Sequence, residues 1–159
     1  MTDSEYLKIA VKAARGSPDP STQNGAVLVP RSGPAVIACN RPPERIRLND
    51  ERLERGLKYK FLEHAERSVI YQAARQGVCT DGATLYCLWY ACPECARAII
   101  MAGISEVVGL TALKVLTPPR WRADVKLGVG MLAEAGVRTR LLDRPLAMQV
   151  KFDGCTIGV

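Results

Sequence analysis

From residue 83 to residue 142 the chain alternates short apolar runs with amphipathic stretches, and this alternation constrains the fold more than any other feature. Residues 83–90 are apolar and rich in β-formers, so they read as a buried strand. Residues 92–102 have helical spacing and close at Gly103. Residues 104–110 are a second strand, and a loop through Pro118 and Pro119 follows. Residues 122–135 form an amphipathic helix ending at Gly136, and residues 137–142 are a third strand. Each helix returns the chain to the same end of the sheet. Strands joined in this way run parallel, with helices on the faces.

The first half differs. Tyr6, Leu7, Ile9, Ala10, Ala13 and Ala14 make a helical stripe over residues 4–15, stopped by Gly16 and Pro18. The apolar runs 25–29 and 35–39 flank Pro30-Arg-Ser-Gly-Pro34 and read as a β-hairpin. That hairpin adds an antiparallel pair, so the sheet should be mixed. Residues 41–60 hold seven basic and four acidic side chains and read as a surface loop merging into an irregular or helical segment. Residues 64–76 form a helix that ends at Gly77. The tail, 143–159, has no assignable period. Residues 1–159 read as one α/β domain, with no repeat or linker.

No apolar run approaches the roughly 20 residues a bilayer span needs, and the N-terminus lacks the basic start and apolar block of a secretory signal. A soluble intracellular protein without a membrane partner is expected. The net charge of +6 suits an anionic partner such as a nucleotide or nucleic acid, or serves solubility alone.

Two short motifs carry chemistry. One is His64-Ala65-Glu66; the other is Cys92-Pro93-Glu94-Cys95. Zinc takes nitrogen and thiolate sulfur, and a catalytic zinc site uses three protein ligands, leaving one position for water. The chain has a single histidine and a single Cys-x-x-Cys pair, which together make three ligands. Both motifs sit where helices should begin. Unpaired N–H groups there stabilise thiolates, the ligating form of cysteine. Zinc lowers the pKa of water toward ~7, and a carboxylate at Glu66 can take that proton and pass it to a departing amine. Cys39 and Cys87 lie in apolar stretches and read as small core residues. A closed structural site would need a fourth donor, which Cys79 or Cys87 could supply.

These motifs match the His-x-Glu and Pro-Cys-x-x-Cys pattern of zinc nucleobase deaminases, with Ala91 in place of the leading proline. The chain as a whole resembles the deoxycytidylate (dCMP) deaminase family, in its bacterial and phage branch. The resemblance runs through Asp19-Pro-Ser-Thr-Gln-Asn-Gly-Ala-Val-Leu-Val29, Asn49-Asp-Glu-Arg-Leu53 and Lys58-Tyr-Lys-Phe-Leu-Glu-His-Ala-Glu-Arg67. It continues through Cys92-Pro-Glu-Cys-Ala-Arg-Ala-Ile-Ile100 and Met131-Leu-Ala-Glu-Ala-Gly-Val137. It implies a three-layer α/β/α fold around a five-stranded mixed sheet. It implies conversion of dCMP to dUMP and ammonia in the cytoplasm of a bacterial or phage-infected cell. His64, Cys92 and Cys95 would hold Zn2+, and Glu66 would shuttle protons. Family members are commonly homo-oligomers, hexamers above all, and many respond to dCTP and dTTP.

The resemblance makes Asn40 a sugar contact. Asn24, Ala65 and Tyr90 join it as candidate substrate contacts, and Arg41 and Lys58, from the basic 41–60 segment, are the candidate phosphate contacts. Ala38-Cys39-Asn40-Arg41 stands where the family usually has Gly-Tyr-Asn-Gly. Asn24, Ser68, Trp89, Tyr90 and Ala91 depart from the family near the expected pocket wall, which suggests tolerance of a C5 substituent such as methyl on dCMP. Trp121 would cover the base or pack in the core or at a subunit contact. Two other functions compete: a deaminase acting on single-stranded nucleic acid, which the scarcity of aromatic platforms disfavours, and a zinc-stabilised binding module without turnover.

Overall fold

A computed structural model describes residues 1–159. Helix α1 (Asp3–Ala14) leads into strands β1 (Gly25–Val29) and β2 (Val36–Cys39). Two one-turn helices follow, α2 (Asp50–Leu53) and α3 (Lys58–Phe61), and then α4 (Ala65–Gln76). Strand and helix alternate from there: β3 (Thr84–Cys87), α5 (Pro93–Met101), β4 (Glu106–Leu110), α6 (Thr111–Val115), a 3-10 turn at Pro119–Trp121, α7 (Arg122–Glu134) and β5 (Arg138–Leu142). A separate hairpin, β6 (Gln149–Phe152) and β7 (Cys155–Gly158), ends the chain.

The five-stranded sheet has the order β2-β1-β3-β4-β5. β1 is antiparallel to both β2 and β3, whereas β3, β4 and β5 are parallel. The expected mixed sheet is therefore present, with α5 and α7 as the crossovers. Strand periodicity divides the core into two layers. Leu28, Leu85, Cys87 and Val107 face one side and pack with Val69 of α4, Ile99 of α5 and Leu132 of α7. Val27, Tyr86, Leu88 and Val108 face the other side and meet Leu7, Ala10 and Val11 of α1. A capping box starts α1: Thr2 accepts from Glu5 N, and the Glu5 carboxylate accepts from Thr2 N. No helix is long and apolar enough to cross a membrane.

Three local outcomes depart from the sequence reading. The apolar run 83–90 contributes only Thr84–Cys87 to the ladder. Beyond it the Asn24 side chain replaces a backbone partner, with Nδ2 donating to Trp89 O at 3.1 Å and Oδ1 accepting from Trp89 N at 3.4 Å. That exchange ends the strand and turns Trp89 and Tyr90 away from the ladder. The loop expected after β4 contains α6 and the 3-10 turn. The unassigned tail is a hairpin whose Val150 and Phe152, with Leu146, complete the α1-side layer. Four-residue strands are too short to display a period.

Candidate active site

Helices α4 and α5 begin side by side, and their N-terminal turns carry both motifs. His64 is the N-cap of α4, with extended backbone at φ −69° and ψ 151°. Cys92 is the N-cap of α5, Pro93 occupies its first turn, and Cys95 follows one turn in. Residues two apart diverge in mid-helix. At a cap they do not, so His64 and Glu66 both reach the cleft.

The three candidate donors converge. Cys92 Sγ lies 3.5 Å and Cys95 Sγ 3.4 Å from His64 Nδ1. All three atoms lie within 4.8 Å of one another. A tetrahedral ion with bonds of ~2.0 Å to nitrogen and ~2.3 Å to sulfur separates such a pair by about 3.5 Å. The donor set and its spacing fit zinc. No fourth His, Cys, Asp or Glu joins the group. Cys79 is exposed, and Cys87 is buried against the sheet. The arrangement is therefore that of an open, three-ligand site, not a closed structural one.

Electrostatics follow from the crowding of these groups and their burial. The Cys92 thiol is lowered to about 3, first by a hydrogen bond from Cys95 and then by one with His64. Cys95 moves the opposite way because it keeps the proton the two sulfurs share, and burial adds to the effect. Arg67 donates to Glu63 and Glu94 beside the sulfurs and adds positive charge there. Glu66 is 2% exposed, and its Oε2 has no hydrogen-bond partner. Burial pushes its carboxyl up to about 7, the Cys92 charge adds to that rise, and His64 partly counters it. A buried, unpartnered carboxylate is costly unless something else meets it there. It lines the same pocket as His64 and Cys92, beside the three metal-type donors.

The pocket over this centre is lined by Asn24, Asn40, Ala65, Tyr90 and Lys58, all anticipated from sequence, together with His64, Glu66 and Cys92. Asn40 braces the pocket loop: its Oδ1 accepts from Asn24 N at 2.8 Å and its Nδ2 donates to Thr22 O at 2.8 Å. One N–H and one lone pair remain for a ligand. Lys58 is buried and its charge is spent on Asp19, at 2.7 and 3.0 Å. Arg41 is exposed and does not line the pocket; its backbone pairs with Glu63. Neither residue presents a free cation to the cleft: the Lys58 ammonium is paired with Asp19, and Arg41 lies outside the lining. Ser68 and Ala91 are buried and also lie outside the lining.

Among the lining residues not assigned to the pocket from sequence are Arg120, Asp124 and Tyr59. Trp121, left open between covering the base and packing elsewhere, lines the pocket and meets Tyr59 edge-to-face, with centroids 5.5 Å apart. The only sequence signal for this wall is a cation and an aromatic placed directly before the α7 pattern.

Helix α7 reaches the loop bearing Cys92 through Gly128. A Cβ there would lie 2.1 Å from Ala91 O and 3.1 Å from the Cys92 carbonyl carbon. Gly128→Ala should therefore push the loop bearing Cys92 and destabilise the fold by about 1–3 kcal/mol. Gly130, on the same helix, has open space around it. Gly130→Ala should stabilise by about 0.5–1 kcal/mol through helix propensity. Thermal denaturation of the two variants checks the pair, and equal effects would remove the close-approach argument.

A family model described as the cytidine and deoxycytidylate deaminase zinc-binding region matches residues 1–111. An uncharacterised deaminase in the luxG 3′ region of Aliivibrio fischeri is 29% identical over 137 residues, covering 86% of this chain and 90% of that protein. The deoxycytidylate deaminase of Mus musculus is 32% identical over 112 residues. That match covers 65% of this chain and 61% of the mouse protein, so the chain spans about three-fifths of that relative's length. The structure of a dCMP deaminase from the cyanophage S-TIM5 superposes with a TM-score of 0.69 at 22% identity, over 88% of this chain and 96% of that one. This last likeness establishes the fold, a mixed five-stranded sheet between helices.

Proposed function

Because the chain belongs to the cytidine and deoxycytidylate deaminase family, we propose that it hydrolyses dCMP to dUMP and ammonia with Zn2+ at His64, Cys92 and Cys95. The observation that carries this reading is the open three-donor cluster beside a buried carboxylate without a partner. Zinc held there supplies Lewis acidity that lets water ionise near neutral pH.

The remaining chemistry belongs to the protein. Glu66 accepts a proton from the attacking water and passes it to N3 as the water oxygen bonds to C4 and the C4=N3 double bond opens. The same carboxyl then carries the C4 hydroxyl proton to the exocyclic nitrogen, the C4–N bond breaks as C4=O forms, and ammonia leaves. Asn40 meets the sugar in this reading, and its one free N–H and lone pair support that role. Trp121, Tyr59 and Leu62 exclude water from the face of the pocket they line. Trp89 and Tyr90 line the wall and support a C5-substituted dCMP as a further substrate. Exposed apolar side chains at Met101, Val115 and Leu127 support homo-oligomeric assembly, and sedimentation velocity tests the hexamer that the family resemblance implies. An enzyme of this kind works on the cytoplasmic nucleotide pool.

The direct test is ultraviolet absorbance on zinc-loaded protein with dCMP, dCTP, deoxycytidine and 5-methyl-dCMP. Preferred turnover of dCMP supports the reading. Absence of ammonia release from every cytosine substrate sinks it in favour of a binding module, and rejection of 5-methyl-dCMP alone removes the C5 extension.

A further inference from the structure

A nucleotide monophosphate brings a dianion into the pocket, and two cations line it: Lys58 and Arg120. Lys58 has no donor to spare. Its ammonium has three N–H groups, and these face three acceptors, the two Asp19 oxygens and Ser21 Oγ. Its side chain is 4% exposed. Moving it toward a ligand would strand the buried Asp19 carboxylate, a costly exchange.

Arg120 is placed differently. It stands on the 3-10 turn at the pocket rim with its side chain 39% exposed. Two of its donors reach the Asp153 carboxylate, through Nη1 at 3.4 Å and through a closer Nη2 contact. The rest of the guanidinium is uncommitted. Arg55, in the connection between α2 and α3, approaches the same carboxylate at 3.7 Å. Two guanidinium groups from separate parts of the chain thus converge on one carboxylate beside the pocket. Asp153 is held below the usual carboxylate range, by the Arg120 hydrogen bond first and by the charges of Arg55 and Lys58 as well.

The carboxylate is delivered by the terminal hairpin, outside the segment that the family model matches. Asp153 sits in the turn between β6 and β7 in the left-handed region, at φ 48°, an uncommon state for a residue with a Cβ. The turn is tied to the pocket's own loop. Asp153 N donates to Thr22 Oγ1 at 3.1 Å, and Gly154 N donates to Ser21 O at 2.8 Å. Ser21 and Thr22 both line the pocket. A bland account is available: an exposed ion pair that pins a hairpin. Such pairs contribute at most about 1 kcal/mol, which also makes this one easy to exchange for a stronger anion.

We propose that Arg120, assisted by Arg55, receives the substrate phosphate, and that Asp153 is an internal carboxylate holding that seat until the phosphate displaces it. This rests on the reading that the substrate is a deoxynucleoside monophosphate. A phosphate carries a charge of about −1.5 to −2 and three acceptor oxygens, against one charge and two oxygens for Asp153. Arg120 and Arg55 are specificity-determining residues in this scheme: they choose the phosphorylated substrate and take no part in the proton transfers.

The test uses zinc-loaded wild type, Arg120→Gln and Asp153→Asn, with dCMP and deoxycytidine as substrates. Losing a charged hydrogen-bond donor should lower the ratio of kcat/KM for dCMP over deoxycytidine by about 30-fold in Arg120→Gln. Asp153→Asn keeps the side-chain size, and asparagine tolerates the left-handed backbone. With the competing charge removed, its KM for dCMP should fall several-fold. Equal loss on both substrates in Arg120→Gln, or a raised KM for dCMP in Asp153→Asn, overturns the proposal. If the wild type turns over no phosphorylated substrate, the functional reading fails, and calorimetric titration with inorganic phosphate then decides the seat separately. Binding that is tightest in Asp153→Asn and weakest in Arg120→Gln sustains the assignment. Identical binding in all three proteins removes it.

Discussion

Glu66→Gln is expected to lower deamination by about 1,000-fold or more while leaving one zinc ion per chain, because general acid–base transfer of this kind contributes about 100- to 10,000-fold and the glutamate lies outside the donor cluster. The substitution preserves volume, which matters for a side chain that is 2% exposed. It also replaces an unpartnered buried carboxyl with a neutral amide, so the variant should fold at least as well as the wild type. Ammonia release and metal content, measured on the same preparation, read the two effects separately. Activity within tenfold of wild type would show that water activation does not need this carboxylate. Loss of zinc would place Glu66 among the ligands and contradict the geometry.

The zinc-type donors and Glu66 were legible because their meaning is local. His-x-Glu and Cys-x-x-Cys each span one helical cap, and the chemistry of the residues is visible without knowing what surrounds them. The sheet was legible for a related reason: the alternation after residue 83 admits few topologies, and the strand order follows once β1 pairs on both sides. What stayed hidden depends on partners distant in sequence. Lys58 reads as a free cation until Asp19, 39 residues away, is found against it. Arg120 and Asp124 are ordinary polar residues until the docking of α7, made close by Gly128, brings them to the pocket. The strand at 83–90 ends early because the Asn24 amide, 65 residues from Trp89, takes a backbone position in the ladder. The terminal hairpin has strands of four residues, so packing against α1 and Trp89 decides its structure, not its pattern.

Cys95→Ala should remove zinc and lower the melting temperature to that of the metal-free wild type or below. Zinc binding by small structural sites is worth about 10–16 kcal/mol, so each of four ligands carries roughly 2.5–4 kcal/mol, or about 60- to 700-fold in affinity. A three-donor site has less to lose before the ion leaves at ordinary concentrations. Metal that binds only the folded chain raises its stability by mass action. The wild type should therefore melt lower after chelation, whereas the variant should melt at one temperature with or without chelator. Truncating a buried side chain also destabilises by itself, and Cys95 is fully buried. Cys87→Ala separates the two causes. Cys87 is equally buried, its thiol donates weakly to Trp89 O at 3.8 Å, and it stands outside the donor cluster. Cys87→Ala should lose stability yet keep its zinc and its sensitivity to chelator. Metal analysis showing one tightly held ion in Cys95→Ala, or equal loss of metal from both variants, would mean that the cluster of His64, Cys92 and Cys95 is not what binds the ion.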